Sequence, residues 1–436
     1  MPSTHPLSTP ANEPVSLGPV RAPRNHTHLR DLARETAAAL HEPYQRCLLA
    51  ARAARAAYRS LPADPEERIA LVAQYLRAGS ATAAHDIHLG VGPSSESVTL
   101  PLDDLRTHML ISGAVGAGTS VALNIVLDGL LDSGWDGTVL DLIDDDVLAE
   151  RCRAALGRFH GGTLGAAAWI DPLRGLGAGA VSALVLSLCE IDDHYWAALC
   201  ERVIEQVAAL CLEGERTPGD ALREMVRVLG SDDLAAATLT LRKSSLEPER
   251  YGFLATSTSE ESHAARLIGA VLRQLIDGPD GTKLRGDVSA ELDPLGPGVS
   301  YVGLNAHEAP LVSRLIAGGV LTRHATRRAG PPRFLVINAV ELLDAKMLSD
   351  LLARARAASV AVILRESGWG SVPPSGLVNI NSRLVMHQNG ARESAGSAEF
   401  LGAAELADSI RHLHVGEAFF RLARAERIES VALRAR

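Results

Sequence analysis

The stretch LISGAVGAGTS, Leu110 to Ser120, decides the reading of this chain. The apolar run THMLISG ends in Gly113, and Gly113 to Gly118 is a G-x-x-x-x-G loop that opens into the apolar run SVALNIVLDGLLDSG. A second apolar run, GTVLDLID, follows. Strand, glycine loop, helix and strand in that order is the βαβ unit of a parallel sheet. Glycines let successive backbone N–H groups converge on anionic oxygens at a helix N-terminus. Gly113, Ala114, Val115, Gly116, Ala117, Gly118, Thr119 and Ser120 therefore form the candidate nucleotide-binding segment. Ser120 occupies the place of the hydroxyl that binds Mg²⁺, so ATP and Mg²⁺ are the cofactors to expect, weakly held. Thr119 stands where a lysine would reach the β and γ phosphates, and no arginine replaces it within the loop. Losing that cation removes roughly several kcal/mol at an effective dielectric near 20. Taken alone, the loop also reads as an ordinary glycine-rich strand-to-helix turn.

Outward from the loop, the pattern continues as α/β. IHLGVGPSSESVTLPL reads as two short strands around a Gly-Pro-Ser turn. Beyond a helical middle, GVSYVGLN, RFLVIN, SVAVIL and RLVMHQ read as strands, with helices over 309–328 and 340–357. GEAFFRLA and RIESVALRA alternate apolar and polar residues and suggest a hairpin at a sheet edge. HYWAALCERVIEQVAALCLE carries Trp196, Leu199, Cys200, Val203, Val207, Leu210 and Cys211 along one helical stripe, which is what burial of a helix face requires. The organisation expected is a disordered leader over 1–27 and an N-terminal helical segment over 28–82. An α/β domain over 83–189 and 296–436 follows, interrupted by a helical subdomain over 190–295. The motif DPEE, from Asp64, supplies an N-cap, a first-turn proline and acids beside a positive helix end.

Composition narrows the function classes. A chain of 436 residues with 47% hydrophobic and 22% charged residues is long enough for one large core or several smaller ones. Its net charge of -9 argues against a surface that coats nucleic acid, although a basic strip inside a ring is invisible to that sum. Five cysteines, with no C-x-x-C pair, read as reduced, mostly buried thiols of a cytoplasmic protein. No apolar run reaches the length of a membrane span. Lysine occurs only at Lys243, Lys283 and Lys346, which fits a GC-rich bacterial genome.

The order of segments resembles the FtsK/HerA superfamily of P-loop ATPases, and especially its type IV secretion coupling-protein (TraG/TraD-like) branch. The resemblance rests on the histidine-led strand LRTHMLISG, the loop GAVGAGTS, the helical insertion, and FLVINAVELLDAKMLSDLLARARAASVAVILRES, and covers roughly residues 88 to 436. It implies a RecA-like P-loop NTPase core with a mainly parallel sheet and an inserted all-helical subdomain. It also places Asn338 where an aspartate orients Mg²⁺, Ala339 where a glutamate polarises water, and Glu366 where a glutamine senses the γ-phosphate. Ser367 is unchanged. With Thr119, these are four degenerate catalytic positions, and phosphoryl transfer depends almost wholly on such groups.

Glu341 and Asp141 are the neighbours that could stand in for a lost carboxylate, and they read more simply as a solvated residue at a helix start and a strand-end acid. Arg354 and Arg356 resemble an arginine-bearing helix that acts in trans on a neighbouring subunit, and read more simply as ordinary helix-surface charges. The run Asp144, Asp145, Asp146 reads as a helix cap rather than a metal site. The arginines of RHATRR, 323 to 328, read as favourable charges at a helix end.

The function implied is a pseudo-ATPase of a conjugative DNA-transfer or secretion system, serving assembly or recruitment. Its expected partners are a homo- or hetero-oligomer with an active motor ATPase, DNA, and the secretion or conjugation machinery, which would anchor it at the membrane. Two alternatives stand beside it: an active DNA-dependent ATPase completed by other residues or subunits, and a nucleotide-independent interaction scaffold.

Overall fold

The computed structural model describes residues 26–40, 47–48, 50–51, 54, 64–81, 86–153, 159–161, 168–189, 191–212, 220–241, 258–284, 291–328, 330–422 and 427–434. The leader expected over 1–27 lies outside the described residues as far as residue 25, and the first helix, His26–Leu40, takes in its last two positions. The chain forms two compact units, Met1–Ala73 and Gln74–Arg436. Asp64, in the first, caps helix Pro65–Ala81, which runs on past Ala73, by accepting from the Glu67 N–H at 3.0 Å, as the DPEE motif requires.

Among the described residues the second unit is built on eleven strands: β1 Ile87–Val91, β2 Ser97–Leu100, β3 Met109–Gly113, β4 Asp136–Asp141, β5 Phe159–Gly161, β6 Val299–Gly303, β7 Arg333–Asn338, β8 Val360–Ser367, β9 Ser382–Met386, β10 Glu417–Arg421 and β11 Ile428–Leu433. Their order is β2-β1-β11-β10-β9-β3-β8-β7-β4-β6-β5. All pairings from β9 to β5 are parallel, and those from β9 to β2 are antiparallel. Parallel neighbours need long crossovers, which is why helices separate these strands in the sequence.

The β10–β11 hairpin forms, but it is not at the edge. β11 pairs with β1, and the edges are β2 and β5. An alternating pattern fixes which face of a strand is buried without naming its neighbour, so the free hydrogen-bonding side of β11 is taken by a strand from the other end of the domain. The helix expected over 340–357 is also divided. A short 3-10 turn, Val340–Leu342, precedes helix Ala345–Ala355, whose N-cap Asp344 accepts from the Met347 N–H at 2.9 Å.

Strand periodicity sorts the core onto two faces. Leu110, Leu140, Ile337 and Leu364 join one apolar cluster with the helices over 178–186, 194–212, 220–229, 259–277, 310–326 and 345–355. Met109, Ile111, Val139, Val336 and Ile363 join the other with helix Thr119–Asp132. The stripe of Leu199, Cys200, Val203, Val207, Leu210 and Cys211 is buried in the first cluster. Among the described residues the five cysteines form no disulfide; four are buried and Cys189 is half-buried.

Candidate functional site

The glycine loop sits at the junction of β3 and helix Thr119–Asp132. Gly116 and Gly118 take φ of 85° and 103°, values that only glycine adopts without strain. Ala117 N–H closes a turn on Ala114 O at 3.0 Å, and Ala114 N–H reaches His387 O beyond β9 at 2.7 Å. Gly416, just before β10, donates its N–H to Ala117 O at 3.0 Å, so the internal hairpin buttresses the loop. Val115 and Ser120 face solvent. The helix has no side-chain cap and no acid in its first turn, so its first N–H groups and positive dipole end remain available to an anion.

Register brings the other positions to the same end of the sheet. Ser367 pairs with Gly113, Arg365 with Asn338, and Asn338 with Asp141. Each of Asp141, Asn338 and Arg365 follows a residue of the first apolar cluster, so the period of two turns its side chain to the face of the loop helix. There they form a chain of bonds. Arg365 Nε donates to Thr119 Oγ1 and Arg365 Nη1 to Asn338 Oδ1, each at 3.1 Å, while Asn338 Nδ2 donates to Asp141 Oδ1 at 2.8 Å. The arginine missing from the loop is thus supplied in space by β8, a residue the sequence reading passed over. Its signal was there: one charge inside VAVILRES, a run otherwise apolar until its last two residues.

Ser112 and Glu366 pair across β3 and β8 and turn to the opposite face. Ser112 Oγ donates to Gly368 O at 2.9 Å and accepts from Gln388 Nε2 at 3.1 Å. Glu366 is fully buried against Ser112; its Oε2 accepts from the Ser371 N–H at 3.1 Å and its Oε1 has no partner. Burial pushes this carboxyl up to about 7. Ala339, beside Asn338, is buried at φ 63° and ψ 54°, the left-handed conformation in an L-residue. His108, leading β3, donates from Nε2 to Leu352 O and accepts the Val362 N–H at Nδ1, both at 3.2 Å, which fixes the neutral tautomer. Burial lowers it to about 4.

The residues present do not fit Mg²⁺. That ion needs an octahedral set of oxygens, usually including a carboxylate. Asn338 offers an amide whose oxygen is engaged by a guanidinium, and Ala339 offers a methyl group. Asp141 has no room for a metal: Oδ1 accepts from Ile143 N–H and Asn338, and Oδ2 from Asp145 N–H and the Tyr301 hydroxyl. Burial raises its carboxyl above the usual range. Glu341 Oε2 accepts from the Ser367 N–H at 3.4 Å. Among the described residues no group of three metal-ligating side chains occurs.

The remaining candidates lie elsewhere. Arg354 and Arg356 are exposed at the end of helix Ala345–Ala355, and Arg354 lines a cleft of about 530 Å³ with Glu201, Lys346 and Asp350. Asp145 caps the helix that starts at Asp146, accepting from the Val147 N–H at 2.9 Å. Arg323 pairs with Asp293, and Arg327 donates to Ala358 O and Pro331 O, so both serve the fold. Among the described residues no helix is long and apolar enough to cross a membrane.

No family model and no curated protein matches this sequence. Solved structures do match it in fold. The bacterial conjugative coupling protein TrwBdeltaN70, in a trigonal form in complex with sulphate, superposes with a TM-score of 0.59 at 19% identity, over 82% of this chain and 92% of that truncated chain. The fold is that of TrwB. It is a RecA-like, TrwB-type α/β core with a mostly parallel sheet. TrwB in complex with ADP and Mg²⁺ gives a TM-score of 0.58 at 18% identity, covering 82% of this chain and 92% of TrwB. VirB4 of Thermoanaerobacter pseudethanolicus gives 0.54 at 16% identity, covering 80% of this chain and 96% of VirB4.

Proposed function

We propose that this protein is a coupling-protein-like P-loop subunit of a conjugative DNA-transfer or secretion system that does not hydrolyse ATP. On this reading it acts on the cytoplasmic side in assembly or substrate recruitment, beside an active motor ATPase. The supporting observation is the end of β7. There, an amide at Asn338 and a methyl group at Ala339 stand level with the glycine loop where hydrolysis needs two carboxylates. Without them no group orients a metal and none takes a proton from an attacking water, and phosphoryl transfer has little else to draw on. The TrwB fold supports the conjugative setting, and the retained loop supports descent of the pocket from a nucleotide site.

The test is steady-state ATP hydrolysis by the full chain in Mg²⁺, with and without single-stranded DNA. The expected rate is that of Gly118→Val, whose added side chain meets Met386 and Gly416 at a positive φ. A rate clearly above that control, stimulated by DNA, would favour the working-ATPase reading instead.

A further inference from the structure

A cleft of about 470 Å³ lies beyond the carboxyl ends of β4, β6 and β7, between the start of helix Pro310–Thr326 and the segment 341–345. The topology accounts for its place. β4 runs on to helix Asp146–Arg153, which packs in one apolar cluster, whereas its neighbours β6 and β7 run on to helices Pro310–Thr326 and Ala345–Ala355, which pack in the other. Adjacent strands whose connections leave to opposite faces open a crevice at their carboxyl ends, where parallel sheets hold ligands. Leu142, Ala306, Leu342 and Leu343 give this one an apolar lining.

The helix wall asks for an anion. Pro310, Ser313 and Arg314 all line the cleft, and their i, i+3, i+4 spacing puts them on one face of the helix. Ser313 is 2% exposed, and its Oγ has no hydrogen-bond partner. A buried hydroxyl left in that state is unfavourable until something bonds it. Arg314 is half-buried, and among the described residues no ion pair or hydrogen bond engages it. The helix start has no side-chain cap and no acid in its first turn, so its positive end adds to the same field.

The opposite wall carries the reverse sign. Glu341 gives one carboxylate oxygen to the Ser367 N–H and Asp344 gives one to the Met347 N–H, which leaves each a second oxygen that no described residue engages. Two carboxylates at this distance from the guanidinium would repel a multiply charged phosphate. A ligand with one negative and one positive group is complementary to both walls.

We infer that this cleft is a binding site for a small zwitterion, a free α-amino acid with an apolar side chain. Its carboxylate meets Arg314, the Ser313 hydroxyl and the helix start, its ammonium lies towards Glu341 and Asp344, and its side chain rests on the leucines. The site is separate from the glycine loop, and the inference is independent of whether ATP is hydrolysed.

The experiment is isothermal titration of the full chain with leucine, with isocaproate, which lacks the amine, and with isoamylamine, which lacks the carboxylate. Leucine should bind saturably and each analogue at least about tenfold more weakly, since each loses one charged contact. Arg314→Ala should weaken leucine about tenfold to a hundredfold, the range for one charge-assisted bond, and Ser313→Ala about threefold to tenfold. Ser313→Ala removes a hydroxyl with no partner in the free protein, so without leucine it should melt no lower than the wild type, and its weaker binding then reports the site rather than the fold. No saturable binding of leucine, equal binding by Arg314→Ala, or an analogue that binds as tightly as leucine would overturn the inference.

Discussion

Glu366→Gln replaces a buried acid by its neutral isostere at the end of β8. The carboxyl is fully buried, with one backbone donor on Oε2 and none on Oε1. The hydroxyl and amide donors of Ser112 and Ser371 favour the carboxylate, but burial outweighs them. Burial raises the folded pKa from 4.5 to about 7. An acid shifted upward favours the folded state while it keeps its proton: its contribution is complete below 4.5 and is lost as pH rises through about 7. The shift corresponds to about 3 kcal/mol between the two limits. The variant cannot ionise and escapes that loss, so it should match the wild type near pH ~5 and exceed it by about 2–3 kcal/mol near pH ~8.5. Urea unfolding at both pH values measures the difference, and other titrating groups cancel because both proteins carry them. An advantage that does not grow with pH, or a less stable variant in alkali, would refute the reasoning.

Three further outcomes follow from the same geometry. His108 has a folded pKa lowered to about 4, so its contribution is full above 6.5 and is lost as pH falls through 4, on the order of 3 kcal/mol in all. His108→Asn should flatten this acid limb in a urea-unfolding series against pH, and lower neutral stability by about 1–3 kcal/mol as Leu352 O and Val362 N–H lose their partner. Ala339→Gly, at φ 63°, should raise the urea midpoint by about 0.5–1 kcal/mol worth of stability. Thr119→Lys would set a second cation against Arg365, lowering the melting temperature in calorimetry, and should not create ATP hydrolysis because both carboxylates are still missing.

The loop and the strands around it were legible because short-range patterns carry them: glycines at fixed spacing, a period of two in THMLISG, a helical period after Thr119. The place of the C-terminal hairpin was not legible. Its strands show which side is buried, but the partner of β11 lies at the other end of the domain. Arg365 escaped for a similar reason. It bonds Thr119 across 246 residues, and only the pairing of β8 with both β3 and β7 makes the two neighbours. Substitutions at Thr119 and Asn338, read position by position, look like losses; read in register, they share one guanidinium.

The placement of β3 also bears on how the protein is made. Residues 109–113 lie between β8 and β9, which come from residues 360–367 and 382–386. A nascent chain emerging from the ribosome exposes this fully buried strand long before either neighbour exists, and pairings so distant in sequence close slowly. The glycine loop can therefore take its shape only after synthesis is nearly finished, and an early stop codon anywhere before β9 would leave β3 with an open edge, a species for chaperones and proteases to clear.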